Sequence, residues 1–129
     1  MDTCFNALLL DEAGGLRDSP QGAEIDVRLP WYRSLPVSVV EVGSLKVDDR
    51  DVAPGDIRFE VNGKSFGLQE LPALSGEFWF VLDSAVLRLS GTRVAPGTDH
   101  DVELQLNLYP PYVPHLKWVT KVRKTLRAR

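Results

Sequence analysis

Along much of this chain every second residue is apolar. Across residues 24–30, Ile25, Val27 and Leu29 alternate with Glu24, Asp26 and Arg28. Ile57, Phe59 and Val61 alternate with Arg58 and Glu60, and Val102, Leu104, Leu106 and Leu108 with Asp101, Glu103, Gln105 and Asn107. Successive side chains of a strand point to opposite faces, so each run predicts a strand with one row in a core and the other in water. Residues 78–82 and 86–89 read as strands buried more completely, and 37–42 with 45–47 as a short strand pair. The predicted core holds Ile25, Val27, Leu29, Ile57, Phe59, Val61, Phe80, Leu82, Val102, Leu104, Leu106 and Leu108. A register slip of one residue would bring Glu103, Gln105 and Asn107 inside instead.

Turn chemistry agrees with this pattern. Asn62-Gly63 stands between 57–61 and the 64–68 run, and that dipeptide readily takes the two positive φ angles of a tight hairpin. Pro54-Gly55-Asp56 and Pro96-Gly97-Thr98 mark further boundaries. Trp118, Val119, Val122 and Leu126 fit a helical stripe, but Trp118, Val122 and Leu126 also share strand parity, so 118–126 is assigned to a terminal strand. No other segment offers a helix of ten residues. Several short strands separated by strong turns are the pattern of a sandwich or barrel. The expectation is all-β: an antiparallel β-sandwich, one domain over 1–129, with no helix beyond about two turns. Residues 1–23 form an N-terminal strand and loop, the Gly/Asp-rich part from 11 to 22 being loop, and 115–129 a basic terminal strand.

At 129 residues and 43% hydrophobic content the chain suits one domain that folds without disulfides or metal. Its single cysteine, Cys4, has no internal partner, and His100 and His115 are too isolated for zinc-ligand spacing. No run approaches the roughly 18 apolar residues of a membrane span, and the N-terminus lacks a basic, then apolar leader. The expected setting is soluble and cytoplasmic, with no membrane contact. The net charge of −3 is uneven, because Lys117, Lys121, Arg123, Lys124, Arg127 and Arg129 leave 9 basic against 18 acidic residues in the rest of the chain. A basic tail admits nucleic-acid binding. The acidic body and the lack of an aromatic strand pair favour a solvated strand instead.

The search for catalytic chemistry finds no nucleophile with a base, no metal cluster and no carboxylate pair in a recognisable motif. Asp48-Asp49-Arg50-Asp51 lacks the glycine and terminal glutamate of a helix–loop–helix calcium site and reads as a solvated turn. Gly14-Gly15 is too short for a phosphate cradle, and His100 between Asp99 and Asp101 reads as a surface residue. Aromatic residues carry more. Trp31, Tyr32 and Arg33 follow the best early strand, and Tyr109 and Tyr112 lie among Pro110, Pro111 and Pro114, which bar a regular central strand. These rings either close one end of the core or form a rim for a protein partner or a sugar.

Three long stretches then become familiar. Arg28-Leu29-Pro30-Trp31-Tyr32-Arg33-Ser34-Leu35-Pro36 is the first, and the second runs from Val47-Asp48 through Ile57-Arg58-Phe59-Glu60-Val61-Asn62-Gly63-Lys64. The third, Glu77-Phe78-Trp79-Phe80-Val81-Leu82-Asp83-Ser84-Ala85-Val86-Leu87, is followed by the Pro96-Gly97 turn leading into 101–108. Together, in collinear order over about residues 24–114, they resemble the small β subunit of bacterial C-glycoside deglycosidases. The resemblance implies a β-sandwich paired with a larger α subunit of sugar-isomerase-like barrel fold, in a higher heteromeric assembly. That α subunit would hold a divalent metal, usually manganese, and the acid/base groups, leaving no cofactor in this chain. The implied substrate is a C-glycoside oxidised to a ketone at sugar carbon 3, with an aromatic or flavonoid aglycone, cleaved by a carbon–carbon lyase reaction. The ketone acidifies the proton on carbon 2, a base removes it, and the bond from carbon 1 to the aglycone breaks by elimination. No catalytic residue carries over to this chain. Its expected contribution is an interface or pocket rim of Trp31, Tyr32, Arg33, Tyr109 and Tyr112. The competing reading is a stand-alone carbohydrate-binding β-sandwich, which predicts sugar affinity without a partner.

Overall fold

The computed structural model describes residues 8–10 and 15–129. Among these residues are eleven strands, nine of which build two main sheets around one apolar core. The first sheet has the order β1-β2-β9-β6-β7: Leu16–Arg17, Ala23–Arg28, Ser84–Leu89, Ile57–Val61 and Lys64–Gly67. The second has β11-β10-β4-β5: Trp118–Arg127, Asp99–Leu108, Val40–Val47 and Arg50–Asp51. A two-residue ladder of β3 (Leu35–Pro36) with β8 (Phe78–Trp79) ties the long connections together. All pairings are antiparallel, and the longest helical piece is the six-residue 3₁₀ segment Leu68–Ala73. The fold is the all-β sandwich expected from the alternation.

The register follows the hydrophobic rows. Val102, Leu104, Leu106 and Leu108 are buried from β10, facing Ile25, Val27, Ile57, Phe59 and Val61 of the other sheet. Residues 78–82 depart from expectation. Phe80 is 51% and Leu82 81% exposed, whereas Trp79 is fully buried, edge-on to Phe59 at 5.4 Å. The strand stops after Trp79, whose indole N–H donates to the Asp83 carbonyl at 2.9 Å, so Trp79 alone of this apolar run is fully buried and Val81 packs only partly against the core. Residues 84–89 are also not buried on both faces: Ala85, Leu87 and Leu89 point in, and Arg88 points out.

The expected strand pair at 37–47 is one strand. Val37–Val39 is a 3₁₀ turn and Val40–Val47 runs on unbroken, with a register shift opposite Gln105/Leu106 that takes up Gly43. A β-carbon on Gly43 would lie 2.9 Å from the Gln105 side-chain nitrogen, so a larger residue in the bulge would have to push that flexible amide aside. Asn62 and Gly63 take φ of 55° and 74°, as the hairpin requires. Asp48 and Asp49 do the same at 54° and 66°, making a second tight hairpin out of a run read only as acidic. Asp tolerates the left-handed region, and here the Asp48 carboxylate also accepts from the Asp101 N–H at 3.0 Å. Within the segment read as loop, Leu16–Arg17 pairs with Glu24 and Ile25; residues 11–14 lie outside the described residues.

The outer faces are charge ladders. Arg17 bridges Glu24 and Asp26, and Arg88 bridges Glu24 and Glu60, on the first sheet. On the second, Lys121 meets Glu103, Arg123 meets Asp101, and Arg127 meets Asp99, so the basic tail lies against the acids of β10. One side of the sandwich is closed by backbone bonds between the chain end and β1: Asp18 N–H to the Arg129 carbonyl, and Arg129 N–H to the Leu16 carbonyl. The opposite side, between β4 and Leu68–Ala73, is open.

Two tests follow from this packing. Trp79→Ala removes the largest buried side chain and should cost about 3–5 kcal/mol, read from denaturant unfolding. At the corner beside the closed side, the Arg93 guanidinium holds the Asp18 carboxyl at about 2, below its ordinary 3.8. A depressed folded pKa stabilises above the unfolded value and loses that contribution as pH falls through the folded one. Asp18→Asn should therefore flatten the acid limb of stability between about pH 4 and 2, and an unchanged limb in urea titrations would disprove this role.

Candidate functional site

Four of the five ring-and-cation candidates meet at one end of the sandwich. This is the end where β2, β6 and β10 stop and β4, β9 and β11 begin, as the Arg28–Ser84, Leu108–Val40 and Leu108–Trp118 pairs fix. The Trp31 indole N–H donates to the Tyr112 hydroxyl at 2.6 Å, which donates on to the Tyr32 hydroxyl at 3.2 Å. Trp31 and Tyr32 stack at a tilt with centroids 5.1 Å apart, and the Arg33 guanidinium lies 5.1 Å from the Tyr112 ring centre, within range of cation–π attraction. Trp118 completes the cluster, edge-on to Trp31 at 5.6 Å. Trp118 was placed in the terminal strand but not among the rim residues, although its position just after the proline-rich stretch was visible.

The chain holds this cluster from both loops. Pro30 ends β2's run, the Val81 N–H donates to Ser34 Oγ at 2.9 Å, and Leu35 pairs with Trp79, so 31–34 is pinned to the 78–83 connection. Across the way, turns closed by Val113 N–H to Pro110 and Leu116 N–H to Val113 fold 110–116 back toward β11. Trp31 is half-buried against the core, whereas Tyr32 is 70% exposed. Phe80, Leu82 and Val113, also exposed, come from the same loops. Burial pushes the Tyr112 hydroxyl pKa up, but its bonds to Tyr32 and Trp31 and the Arg33 charge outweigh that and lower it. Tyr32 moves the other way, raised by its bond to Tyr112. Both hydroxyls act as hydrogen-bonding groups.

Tyr109 does not join them. Its hydroxyl donates to Glu41 Oε1 at 2.9 Å, beside a second donor, the Asn107 amide at 2.8 Å. The Asn107 and Tyr109 bonds lower the Glu41 pKa and keep it ionised. Tyr109 and Glu41 lie on a groove of about 400 Å³ along the open side, lined also by Val40, Val42, Gln69 and Leu71. A wider polar depression of about 620 Å³ at the far end is lined by groups of both signs, among them Asp51, Asp56 and Arg93.

The remaining candidates are structural. His100, read as a surface residue, keeps only 15% of its side chain exposed: Nδ1 lies 2.6 Å from Asp48 and Nε2 2.7 Å from Thr98 Oγ1, so both ring nitrogens are engaged. Among the described residues no three His, Cys, Asp or Glu side chains converge as metal ligands, and the donor set here does not fit a metal. No helix among them is long and apolar enough to cross a membrane.

Residues 12–112 match the family model described as C-glycoside deglycosidase beta subunit. The chain belongs to that family. A relative so named from Microbacterium trichothecenolyticum is 38% identical over 102 residues, covering 79% of this chain and 77% of the relative. Another from Arthrobacter globiformis is 36% identical, covering 79% and 78%. A third, from Microbacterium sp, is named 3'-dehydrocarminate deglycosidase beta subunit and is 39% identical over 93 residues, covering 72% and 70%. The family match contains Trp31, Tyr32, Arg33, Tyr109 and Tyr112 and stops short of Trp118 and β11. As a β subunit by family, the chain implies a partner α subunit.

Tyr112→Phe keeps the ring under Arg33 and deletes the hydroxyl that joins Trp31 to Tyr32. We expect a stability loss of about 1 kcal/mol or less, with a clear change in tryptophan fluorescence as the Trp31 indole loses its acceptor. Unaltered emission would show that the bond does not hold the cluster in solution.

Proposed function

We propose that this chain is the non-catalytic β subunit of a heteromeric enzyme that cleaves the carbon–carbon glycosidic bond of 3-oxo-C-glycosides with aromatic aglycones. The chemistry is that of a carbon–carbon lyase in a cytoplasmic assembly. A base takes the proton from carbon 2, the electron pair forms a double bond to carbon 1, and the bond to the aglycone carbon breaks as that carbon takes a proton. The base and a divalent metal, manganese by family resemblance, belong to the larger barrel-shaped α subunit. The metal would stabilise the enolate as a Lewis acid.

The single observation behind this chain's role is the locked ring cluster at one end. Trp31, Tyr112 and Trp118 are fixed by mutual contacts while Tyr32 stands well out in solvent. The outer faces of both sheets carry paired charges, so the ring end, with Phe80 and Leu82 beside it, is the apolar surface left for a partner. Aromatic side chains with an arginine are the usual anchors of such contacts. Docked near the α-subunit active-site mouth, the rings would complete a pocket wall and exclude water while the aglycone leaves. The name of the 3'-dehydrocarminate relative supports an oxidised sugar as substrate.

The isolated chain, with or without manganese, should show no turnover of a 3-oxo-C-glycoside; co-purified with its α subunit it should. Trp31→Ala should weaken assembly by roughly thirtyfold, the equivalent of about 2 kcal/mol. Weakened folding of the free chain with unchanged affinity among folded molecules would instead make Trp31 a core plug and remove it from the interface. Sugar binding by the free chain would favour the stand-alone module.

A further inference from the structure

Sheet edges expose unpaired backbone groups, and proteins usually guard them with inward lysines, proline, short strands or a covering element. Most edges here are guarded. On β11 the inward row carries Lys124, opposite Val102, with its Nζ reaching the Leu9 carbonyl at 3.3 Å. β7 is four residues long and runs into the Leu68–Ala73 turn.

The outer edge of β4 differs. β5 covers it only at Lys46 and Val47, with one further bond from Val52 N–H to the Leu45 carbonyl, before Pro54 turns the chain away. Tyr109 N–H bonds the Val39 carbonyl across to β10. By antiparallel alternation Glu41 then also bonds toward β10, and Val40 and Val42 turn their backbone groups outward. The Val40 N–H is taken by the Val37 carbonyl. The Val40 carbonyl and both backbone groups of Val42 therefore face the open groove, where no strand pairs with them among the described residues. Residues 40–45 contain no lysine, arginine or proline, and the one edge device among them, the Gly43 bulge, lies beyond residues 40–42.

The groove beside this edge has matching side chains. Val40, Val42 and Leu71 line it together with Glu41 and Gln69. Both donors to Glu41 bond Oε1; the charge of Lys117 also acts on this carboxylate, so an incoming cation would add to it at Oε2.

We infer that the free edge of β4 is a strand-addition site, on which an extended segment of the partner subunit pairs with residues 40–42. That segment sets an apolar side chain into the groove and a lysine or arginine against Glu41. The inference rests on the proposed reading of this chain as a docked subunit. Continuity supports this occupant, because Tyr109 on the groove and Tyr112 in the ring cluster belong to one short loop. A partner seated on the rings needs only a few residues of extended chain to reach β4. A second copy of this chain is the poorer fit, since edge-to-edge pairing about residue 41 would bring two Glu41 carboxylates together.

The test is amide hydrogen exchange on the free chain and on the purified complex. In the free chain the Val42 amide should exchange quickly; in the complex it should slow by on the order of a hundredfold. Val42→Lys, which installs an edge guard but also disturbs a side chain packed against the core, should weaken assembly by roughly tenfold or more among molecules shown to be folded by their melting temperature. An unprotected Val42 amide in the complex overturns the inference whatever the variant does. If Tyr32→Ala weakens assembly while Val42 stays unprotected, strand addition fails and the ring-end reading stands. If neither site is protected in an active complex, the docking reading itself falls. Protection that rises with concentration of the free chain would assign the edge to self-pairing and exclude the partner segment.

Discussion

Two sheets that are each apolar on one face have a single economical arrangement, face to face, and that burial governs the rest of this molecule. The inward row of β10 is its backbone: Val102, Leu104, Leu106 and Leu108 are fully covered, and β10 pairs on both sides, with β11 and β4. Once that row is buried, its outward partners Asp101 and Glu103 must lie on the surface. There they meet Arg123 and Lys121 from the neighbouring strand. The basic tail is thus absorbed by the strand that alternation had already oriented, which leaves little of the excess charge a nucleic acid would need. The same logic on the first sheet sets Arg17 and Arg88 among Glu24, Asp26 and Glu60. Both broad faces are closed by self-complementary charge.

What was legible in the sequence is what period-two alternation encodes. Strands β2, β6 and β10 and the Asn62-Gly63 hairpin stand where the pattern put them, because there a buried row and a solvated row are both long enough to fix the register. Legibility failed where apolar residues run together. Phe78, Trp79, Phe80, Val81 and Leu82 offer no polar phase mark, and only the neighbours decide that Trp79 goes in fully, Val81 in part and the others out. The bulge at Gly43 was hidden for a related reason: one extra residue within β4 looked like a gap between two short strands. Asp48-Asp49 looked like a charge cluster because its turn role depends on the backbone it finds, with His100 and the Asp101 amide ready to receive its carboxylate.

The candidate site divides in the same way. Large rings and an arginine at strand ends, with the proline punctuation, were enough to single out Trp31, Tyr32, Arg33 and Tyr112, and the two loops that carry them do converge. Tyr109 was grouped with them by sequence proximity, yet three residues of extended chain at the end of a strand are enough to carry a side chain to another surface. Tyr109 is instead drawn to Glu41 by the buried amide of Asn107, which needs a partner at 3% exposure. Trp118 shows the converse. It lies far from Trp31 in sequence and meets it because β11 starts level with the end of β10.

These features together bear on how a β subunit can meet its partner. The faces are balanced and closed, and the far end engages His100 and Asp48 in holding its own turns. What is left for a partner is the ring end and the unguarded edge of β4, which adjoin at the 109–112 loop. Rings on that loop lose little conformational freedom on docking, because Trp31, Tyr112 and Trp118 already constrain one another and Pro110, Pro111 and Pro114 stiffen the chain beneath them. A preorganised apolar end can therefore bind without the ordering cost a mobile loop would incur. It can also hold a fixed wall beside a reaction whose transition state must be kept dry. A flexible lid would have to close on every turnover. A rigid sandwich end, once docked, stays in place, and this is what a β subunit built in this way can add to its partner.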